Sequence, residues 1–379
     1  MKTGWAVMFL RWLVVSIFRI REEIRWRRNL RRLAPARDAA GGVRIAYAHA
    51  GYPAAPTDGF VSGGAVKYIH LHRRWPHAGP ATDVIYAVSS SHSPHLEALF
   101  PSARARGIKI IWNQDGIHRP GPDTVRRDRN RKMAELYRQA DYVFFQSRFC
   151  RESAERFLGE CDAPCEILYN AVDTRAFTPG KVRTPTEDEL RILMAGSHYS
   201  DYRVPCGIRA LAAVRRKRSA RLIVAGRFMP PAYEAGARKL AFDLNLESHV
   251  EFRGGYLHGD APEMYREGDV YLHTKYADPC PSSVIEAMAC GLPVVYSATG
   301  GTPELVGGKA GIGVPGKLDW EKDIPPDPEA LAEAVLKVAD HYVEYTTAAR
   351  ERAVACFDIE PWLMRHREIF EQITGKTHG

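Results

Sequence analysis

Apolar residues along this chain fall into short unbroken runs separated by longer segments with helical periodicity. The runs at 43–50 (VRIAYAHA), 84–88, 108–112 and 142–146 lack the apolar–polar alternation of a half-exposed strand, so each predicts a strand buried on both faces. Between them lie predicted helices at 62–75, 93–106, 124–139 and 148–158. A second series follows, with strands at 191–195, 221–225, 249–252, 270–274 and 293–297 and helices at 206–217, 231–245, 261–267 and 282–290. A last helix, about 361–373, follows Pro361. Strands that alternate with helices imply parallel sheets, because each crossover must return the chain to the same edge direction. The fold class is therefore α/β, with two Rossmann-like domains. Polar, Pro/Gly-bearing stretches at 34–42 (APARDAAGG) and 180–189 (GKVRTPTEDE) read as linkers. The domain expectation is an N-terminal segment 1–34, a first domain 43–179, a second domain 190–355, and a C-terminal segment 356–379.

Composition adds little to the fold but sharpens the function. The chain has 379 residues and a net charge of +8. Nine Lys/Arg and two Glu fall within residues 1–34, which leaves the rest nearly balanced, 44 basic against 43 acidic. A near-neutral body without zinc-finger spacing or a basic–aromatic motif argues against nucleic acid as a partner. Residues 5–20 (WAVMFLRWLVVSIFRI) are apolar apart from Arg11, Ser16 and Arg19. As a helix they would reach about 24 Å, short of the roughly 30 Å hydrocarbon core. Arg21, Arg25, Arg28 and Arg32 then recur at helical spacing, with Trp5, Trp12 and Trp26 as interfacial side chains. This predicts a helix lying on an anionic membrane surface on the cytoplasmic side, and the competing reading is a tail or a helix packed on the body. Seven scattered cysteines suit a reducing compartment, and Cys161 and Cys165 lack further ligands at metal-site spacing.

The chemistry concentrates in residues 278–301, DPCPSSVIEAMACGLPVVYSATGG. Asp278 opens a Pro-containing turn, Glu286 lies eight positions on in a short helix, and a strand and the double glycine 300–301 follow. A helix N-terminus can hold a phosphate while flanking carboxylates accept sugar hydroxyls. Duller readings stand beside this one. Asp278-Pro279 is also a common turn, and Ser283 with Glu286 fits a capping box. Ser62-Gly63-Gly64-Ala65, between the first strand and its helix, could admit close backbone approach of a ligand or serve as a plain turn.

The 278–301 segment resembles the donor-binding signature of retaining glycosyltransferase family 4, with Asp278 in place of the first of two glutamates. Further similarity covers 62–75, the YNAVDTRAFTP segment at 169–179, Ala195-Gly196, Cys206-Gly207 and the lead-in at 250–270, so it spans nearly all of 43–375. The resemblance implies the GT-B fold, two Rossmann-like parallel-sheet domains facing an interdomain cleft, with the last helix crossing back to the first domain. It implies that Glu286 holds the donor ribose, that Asp278 works at the sugar and reaction centre, and that Ser282 and Ser283 face donor sugar or phosphate. Gly63 and Gly64 would lie near the acceptor and the donor phosphates. The family's Arg and Lys at the start of the second domain are missing. Ser197 and Cys206 stand there, and Arg203, then Arg227, are the candidate substitutes. No metal is expected, since no Asp-x-Asp motif is present. Asn113, Gln114 and Asp115 end a first-domain strand, His118 reads as a loop histidine, and Glu304 as a cap of the turn that follows it. The function so implied is transfer of a sugar from a nucleotide-diphosphate donor to a glycan or lipid-linked acceptor, with retention, in envelope polysaccharide or glycolipid synthesis. The alternatives are a sugar-nucleotide epimerase on the same fold and a non-catalytic sugar-nucleotide-binding protein.

Overall fold

The computed structural model describes residues 26–36, 42–48, 63–90, 95–119, 124–180 and 189–376. The apolar run 5–20, Ser62 and most of the linker 180–189 lie outside them.

Two parallel sheets form. The first has the order β1 (Ile45–Tyr47), β2 (Val84–Val88), β3 (Lys109–Gln114), β4 (Tyr142–Phe145), β5 (Cys165–Ile167). Its helices cover both faces. The residues 26–32 (α1), α3 (Leu96–Arg104), α4 (Thr124–Tyr137) and α5 (Arg148–Leu158) pack on one face. The other face carries α2 (Gly63–Arg74) and the last helix of the chain, α13 (Ile359–Thr374), whose Trp362, Ile369 and Phe370 are buried there. The VIYAV run of β2 is wholly buried, as double coverage requires.

The second sheet is formed by β6 (Leu190–Ala195), β7 (Ala220–Ala225), β8 (Val250–Gly254), β9 (Val270–His273), β10 (Val294–Ser297) and β11 (Gly311–Val314), in the spatial order β11-β10-β9-β6-β7-β8. The helices are α6 (Arg203–Arg215), α7 (Ala232–Asp243), α8 (Ala261–Arg266), α9 (Ser282–Ala289), α10 (Thr302–Val306), α11 (Pro328–Asp340) and α12 (Tyr342–Phe357). The chain winds outward from β6 in one direction and from β9 in the other. The loops after these two neighbouring strands therefore part, which leaves a crevice at their carboxyl ends.

Every predicted strand forms, with ends moved by up to a few residues. Two further strands and three helices had no place in the sequence reading. β5 (CEI) is half-exposed and carries no apolar run. β11 (GIGV) contains two glycines, and a Cβ on Gly311 would collide with the Val294 backbone of β10. α12 buries only Ala349, Ala353 and Phe357. α11 (PEALAEAVLKVAD) was legible, having a clear apolar stripe and Asp327 as N-cap.

The N-terminal reading changes in one respect. Trp26, expected at a membrane interface, is 5% exposed and stacks on His95 at 4.6 Å, and Leu33 is buried in the same core. Burying an indole against the first domain removes its apolar surface from water as a bilayer would. Arg28 and Arg32 of the same helix remain exposed. Among the described residues no helix is long and apolar enough to cross a membrane.

Candidate functional site

The carboxyl ends of β6 and β9 face the first domain across a cleft of about 690 Å³. All eight residues singled out in the sequence, Gly63, Gly64, Arg203, Arg227, Asp278, Ser282, Ser283 and Glu286, line it.

Asp278 follows β9 after Ala277, whose φ of 48° is unusual for a residue with a side chain. The double glycine holds this turn in place. Gly300 has φ +77°, and its Cα lies against the backbone of Ala277 and Asp278, so a Cβ would collide with both. Gly301 N–H donates to the Asp278 carbonyl at 2.8 Å. The Asp278 carboxylate is 7% exposed. Burial opposes its charge, but Lys275 Nζ at 3.0 Å and His273 Nε2 at 3.3 Å hold its pKa well below the usual carboxylate range. Burial in turn depresses the His273 pKa, against the pull of Asp278, and its Nδ1 has no hydrogen-bond partner.

Glu286 is 8% exposed on α9. The capping-box reading fails on register. α9 begins at Ser282 with Pro281 as its N-cap residue, so Ser283 lies inside the helix and Glu286 in its second turn. The carboxylate instead accepts a hydrogen bond from Tyr265 Oη at 2.9 Å, with His258 Nδ1 at 4.0 Å. Burial raises its pKa, which His258 and the Tyr265 bond partly offset. Ser282 Oγ accepts from Asn170 Nδ2 at 3.2 Å, and the same amide bonds the Cys280 carbonyl at 2.7 Å. The loop before α9 is thus tied to the first domain.

Arg203, the candidate substitute for the missing basic pair, lies in the cleft wall. α6 starts at Arg203, earlier than its apolar pattern suggests, and places a 5% exposed guanidinium in the cleft wall. Arg203 Nη1 donates to the Ser197 carbonyl at 2.6 Å, while its Nε has no partner. Cys206 is turned away, with Sγ donating to the Pro326 carbonyl at 3.1 Å. Arg227 is exposed at the cleft rim.

On the first-domain side the sequence reading was least complete. Gly64 needs its missing side chain for an internal reason: a Cβ would collide with Ser90 Oγ and Asp115 Oδ2. Asn113 and Gln114 are buried structural residues. Asn113 Nδ2 donates to Tyr86 Oη at 3.0 Å and Gln114 Oε1 accepts from the Trp112 indole at 2.6 Å. Of the three, Asp115 lines the cleft. His118 sits in a loop, its backbone N–H bonded to Asn130 Oδ1 at 2.9 Å. Lys67, unpartnered at Nζ and 4% exposed, also lines the cleft, as does Lys275. Neither was anticipated. A polar side chain amid an apolar helical stripe was the available signal for Lys67.

Glu304 acts across the domain boundary and does not cap its own turn. Its two oxygens accept from the backbone N–H groups of Arg148 and Phe149, each at 2.9 Å, at the start of α5 in the first domain. Ser147 Oγ donates to the Pro279 carbonyl at 2.7 Å beside it.

Residues 189–341 match the family described as Glycosyl transferases group 1. Curated relatives include the GDP-mannose-dependent alpha-(1-6)-phosphatidylinositol monomannoside mannosyltransferase of Mycolicibacterium smegmatis, 29% identical over 58% of this chain and 61% of that protein. Another is the D-inositol 3-phosphate glycosyltransferase of Mycobacterium bovis, 28% identical over 39% of this chain and 32% of that protein. The alignments thus span about three fifths and one third of these relatives' lengths. Among solved structures, Anabaena HepE in complex with UDP and glucose superposes with a TM-score of 0.63 at 18% identity, covering 81% of each chain. The sucrose-phosphate synthase of Thermosynechococcus elongatus also gives 0.63, at 19% identity over 82% of this chain and 78% of that one.

Proposed function

We propose that this chain, whose residues 189–341 match the group 1 glycosyl transferases and whose fold is GT-B, transfers a sugar from a nucleotide-diphosphate donor to a glycan or lipid-linked acceptor with retention. One observation carries the reading: two buried carboxylates from the 278–301 segment and a buried guanidinium from the start of α6 line the same interdomain cleft. Buried charges are costly unless something complementary is bound among them.

In this reading Glu286 accepts hydrogen bonds from the donor ribose, its position set by the Tyr265 hydroxyl. Asp278, ionised because of Lys275, accepts from a donor-sugar hydroxyl next to the reacting carbon. Arg203 and Lys275 take the charge that grows on the leaving diphosphate, helped by the amides at the start of α9. No metal ion is assigned. On a front-face path the leaving phosphate oxygen takes the acceptor proton as the new glycosidic bond forms on the face the diphosphate leaves, so configuration is retained without an enzymic base. The names of the two curated relatives, a phosphatidylinositol monomannoside mannosyltransferase and an inositol phosphate glycosyltransferase, support an acceptor of the glycolipid or polyol phosphate kind. A role in envelope glycolipid or polysaccharide synthesis, at the inner face of a membrane reached through residues 1–34, completes the proposal.

A thermal-shift panel of UDP-, GDP-, ADP- and CMP-sugars against the full chain and its Glu286→Ala variant tests it. Stabilisation by one nucleotide class, lost in the variant, is the expected result. No response to any nucleotide would overturn the reading.

A further inference from the structure

Lys67 is the most anomalous side chain in the cleft. It lies one turn into α2, is 4% exposed, and its Nζ has no hydrogen-bond partner. Burial pushes its pKa down, against the attraction of Asp115 and, more weakly, of the Cys280 and Cys150 thiols. Asp115 does not satisfy it by pairing. That carboxylate is held elsewhere, accepting from Ser89 Oγ at 2.5 Å, Ser90 N–H at 2.8 Å and Ser90 Oγ at 2.5 Å. Three bonds leave a carboxylate one acceptor position of about four free. The first-domain wall therefore offers an uncommitted ammonium and a rigid carboxylate side by side, on the opposite side of the cleft from Arg203, Lys275 and Glu286.

We propose that Lys67 and Asp115 form an acceptor subsite, in which the Lys67 ammonium holds a phosphate group of the acceptor and the Asp115 carboxylate orients a hydroxyl close to it. The pair suits a phosphorylated polyol, whether free or as a phospholipid headgroup, since one molecule then satisfies both charges. A neutral glycan would supply no counter-charge to hold the buried Lys67 in its ammonium form. The assignment rests on the glycosyl-transfer reading and adds to it the residues that hold the acceptor's phosphate and hydroxyl.

The test is calorimetric titration of the full chain, saturated with the nucleoside diphosphate chosen by the panel above. Inorganic phosphate and, separately, monomeric dihexanoylphosphatidylglycerol are the probes, against wild type, Lys67→Gln and Lys67→Arg. At least one probe should bind wild type. Lys67→Gln should weaken it about tenfold or more, the loss of one charge-assisted hydrogen bond, with Lys67→Arg retaining most of the affinity. Nucleotide affinity should stay within about twofold throughout, since the donor contacts are untouched. A preference for inorganic phosphate would point to a soluble phosphorylated acceptor, and a preference for the diester to a lipid headgroup. Equal probe binding by Lys67→Gln, no probe binding by wild type, or nucleotide affinity falling with Lys67→Gln would each overturn the assignment, the last by giving Lys67 to the donor phosphates. Should Lys67→Gln not fold, Lys67→Met keeps the aliphatic stem and replaces it. If wild type binds no nucleotide, the glycosyl-transfer reading fails, and the probe titrations on the nucleotide-free chain still decide the role of Lys67.

Discussion

Arg203 sits where the substitutions at Ser197 and Cys206 would otherwise leave the second-domain wall without a buried cation. Its guanidinium is buried and pinned by the Ser197 carbonyl, so little freedom is lost when an anion arrives. Replacement of Arg203 by Met is expected to weaken nucleoside-diphosphate binding about 10- to 100-fold, from the loss of a charge-assisted hydrogen bond worth some 1.5–3 kcal/mol. Titration calorimetry reads this directly, and Arg203→Lys should recover only part because it loses the planar fork. Asp278 makes a different prediction. Its carboxyl is ionised far below neutrality, so Asp278→Asn changes the charge at every working pH. Turnover should fall about 100-fold or more while nucleotide affinity, which depends on Glu286 and Arg203, changes little. Retained turnover in Asp278→Asn would return Asp278 to the role of a turn residue. At this scale the sequence showed which residue types occur near one another in the chain. It could not show that Lys275 and His273 flank Asp278, or that Lys67 lacks a partner, since both depend on what folds against each side chain.

Two elements depend on contacts from the other half of the molecule. The first turn of α5 has two backbone N–H groups capped by Glu304, 155 and 156 positions away. Removing a cap costs about 1–2 kcal/mol, and here part of that cost falls on domain closure. In Glu304→Ala, hydrogen exchange at the Arg148 and Phe149 amides should accelerate and the melting temperature should fall by a few degrees. Unchanged exchange would show that the cap is made only transiently. The second element is α13. His366 is fully buried, with Nδ1 near the Trp362 carbonyl at 2.9 Å and Nε2 near Tyr86 Oη at 3.0 Å. A carbonyl only accepts, so the neutral tautomer carries its proton on Nδ1 and accepts from Tyr86. Burial lowers the His366 pKa to about 3, against an ordinary 6.5. The unfolded chain then binds more protons than the folded one between those two values. Stability from His366 is therefore present above about pH 6.5 and is lost as pH falls toward 3, at up to about 1.4 kcal/mol per pH unit. Urea titrations across pH 4–7 should show His366→Leu with a flatter pH dependence than wild type. The period of α13 was legible around Pro361 and the family resemblance implied its return to the first domain, whereas its contacts with Tyr86 were not legible.

At the scale of the whole molecule, the N-terminus separates two questions the sequence had joined. Trp26 and Leu33 belong to the first-domain core, so a cut at residue 34 would remove core side chains together with the proposed membrane segment. A cut after residue 25 keeps Trp26 and Leu33. The shortened protein should keep its nucleotide response and melting temperature while losing flotation with anionic vesicles, and full retention on the vesicles would refute the membrane role. The sequence by itself determined that two parallel sheets form, because unbroken apolar runs between helical segments have no other way to bury both faces. It also brought Asp278, Ser282, Ser283 and Glu286 together, because the motif from Asp278 to Gly301 is local and its glycines are dictated by the turn they must pack against. Only the tertiary structure decided that Arg203 is buried in the cleft wall, since that depended on where α6 begins, which packing sets. It alone decided, too, that Glu286 is held by Tyr265 and not by a helix cap, that Glu304 reaches α5, and that Lys67 is left without a partner. Burial and hydrogen bonding are properties of groups brought together from distant parts of the chain, and local sequence patterning carries no record of them.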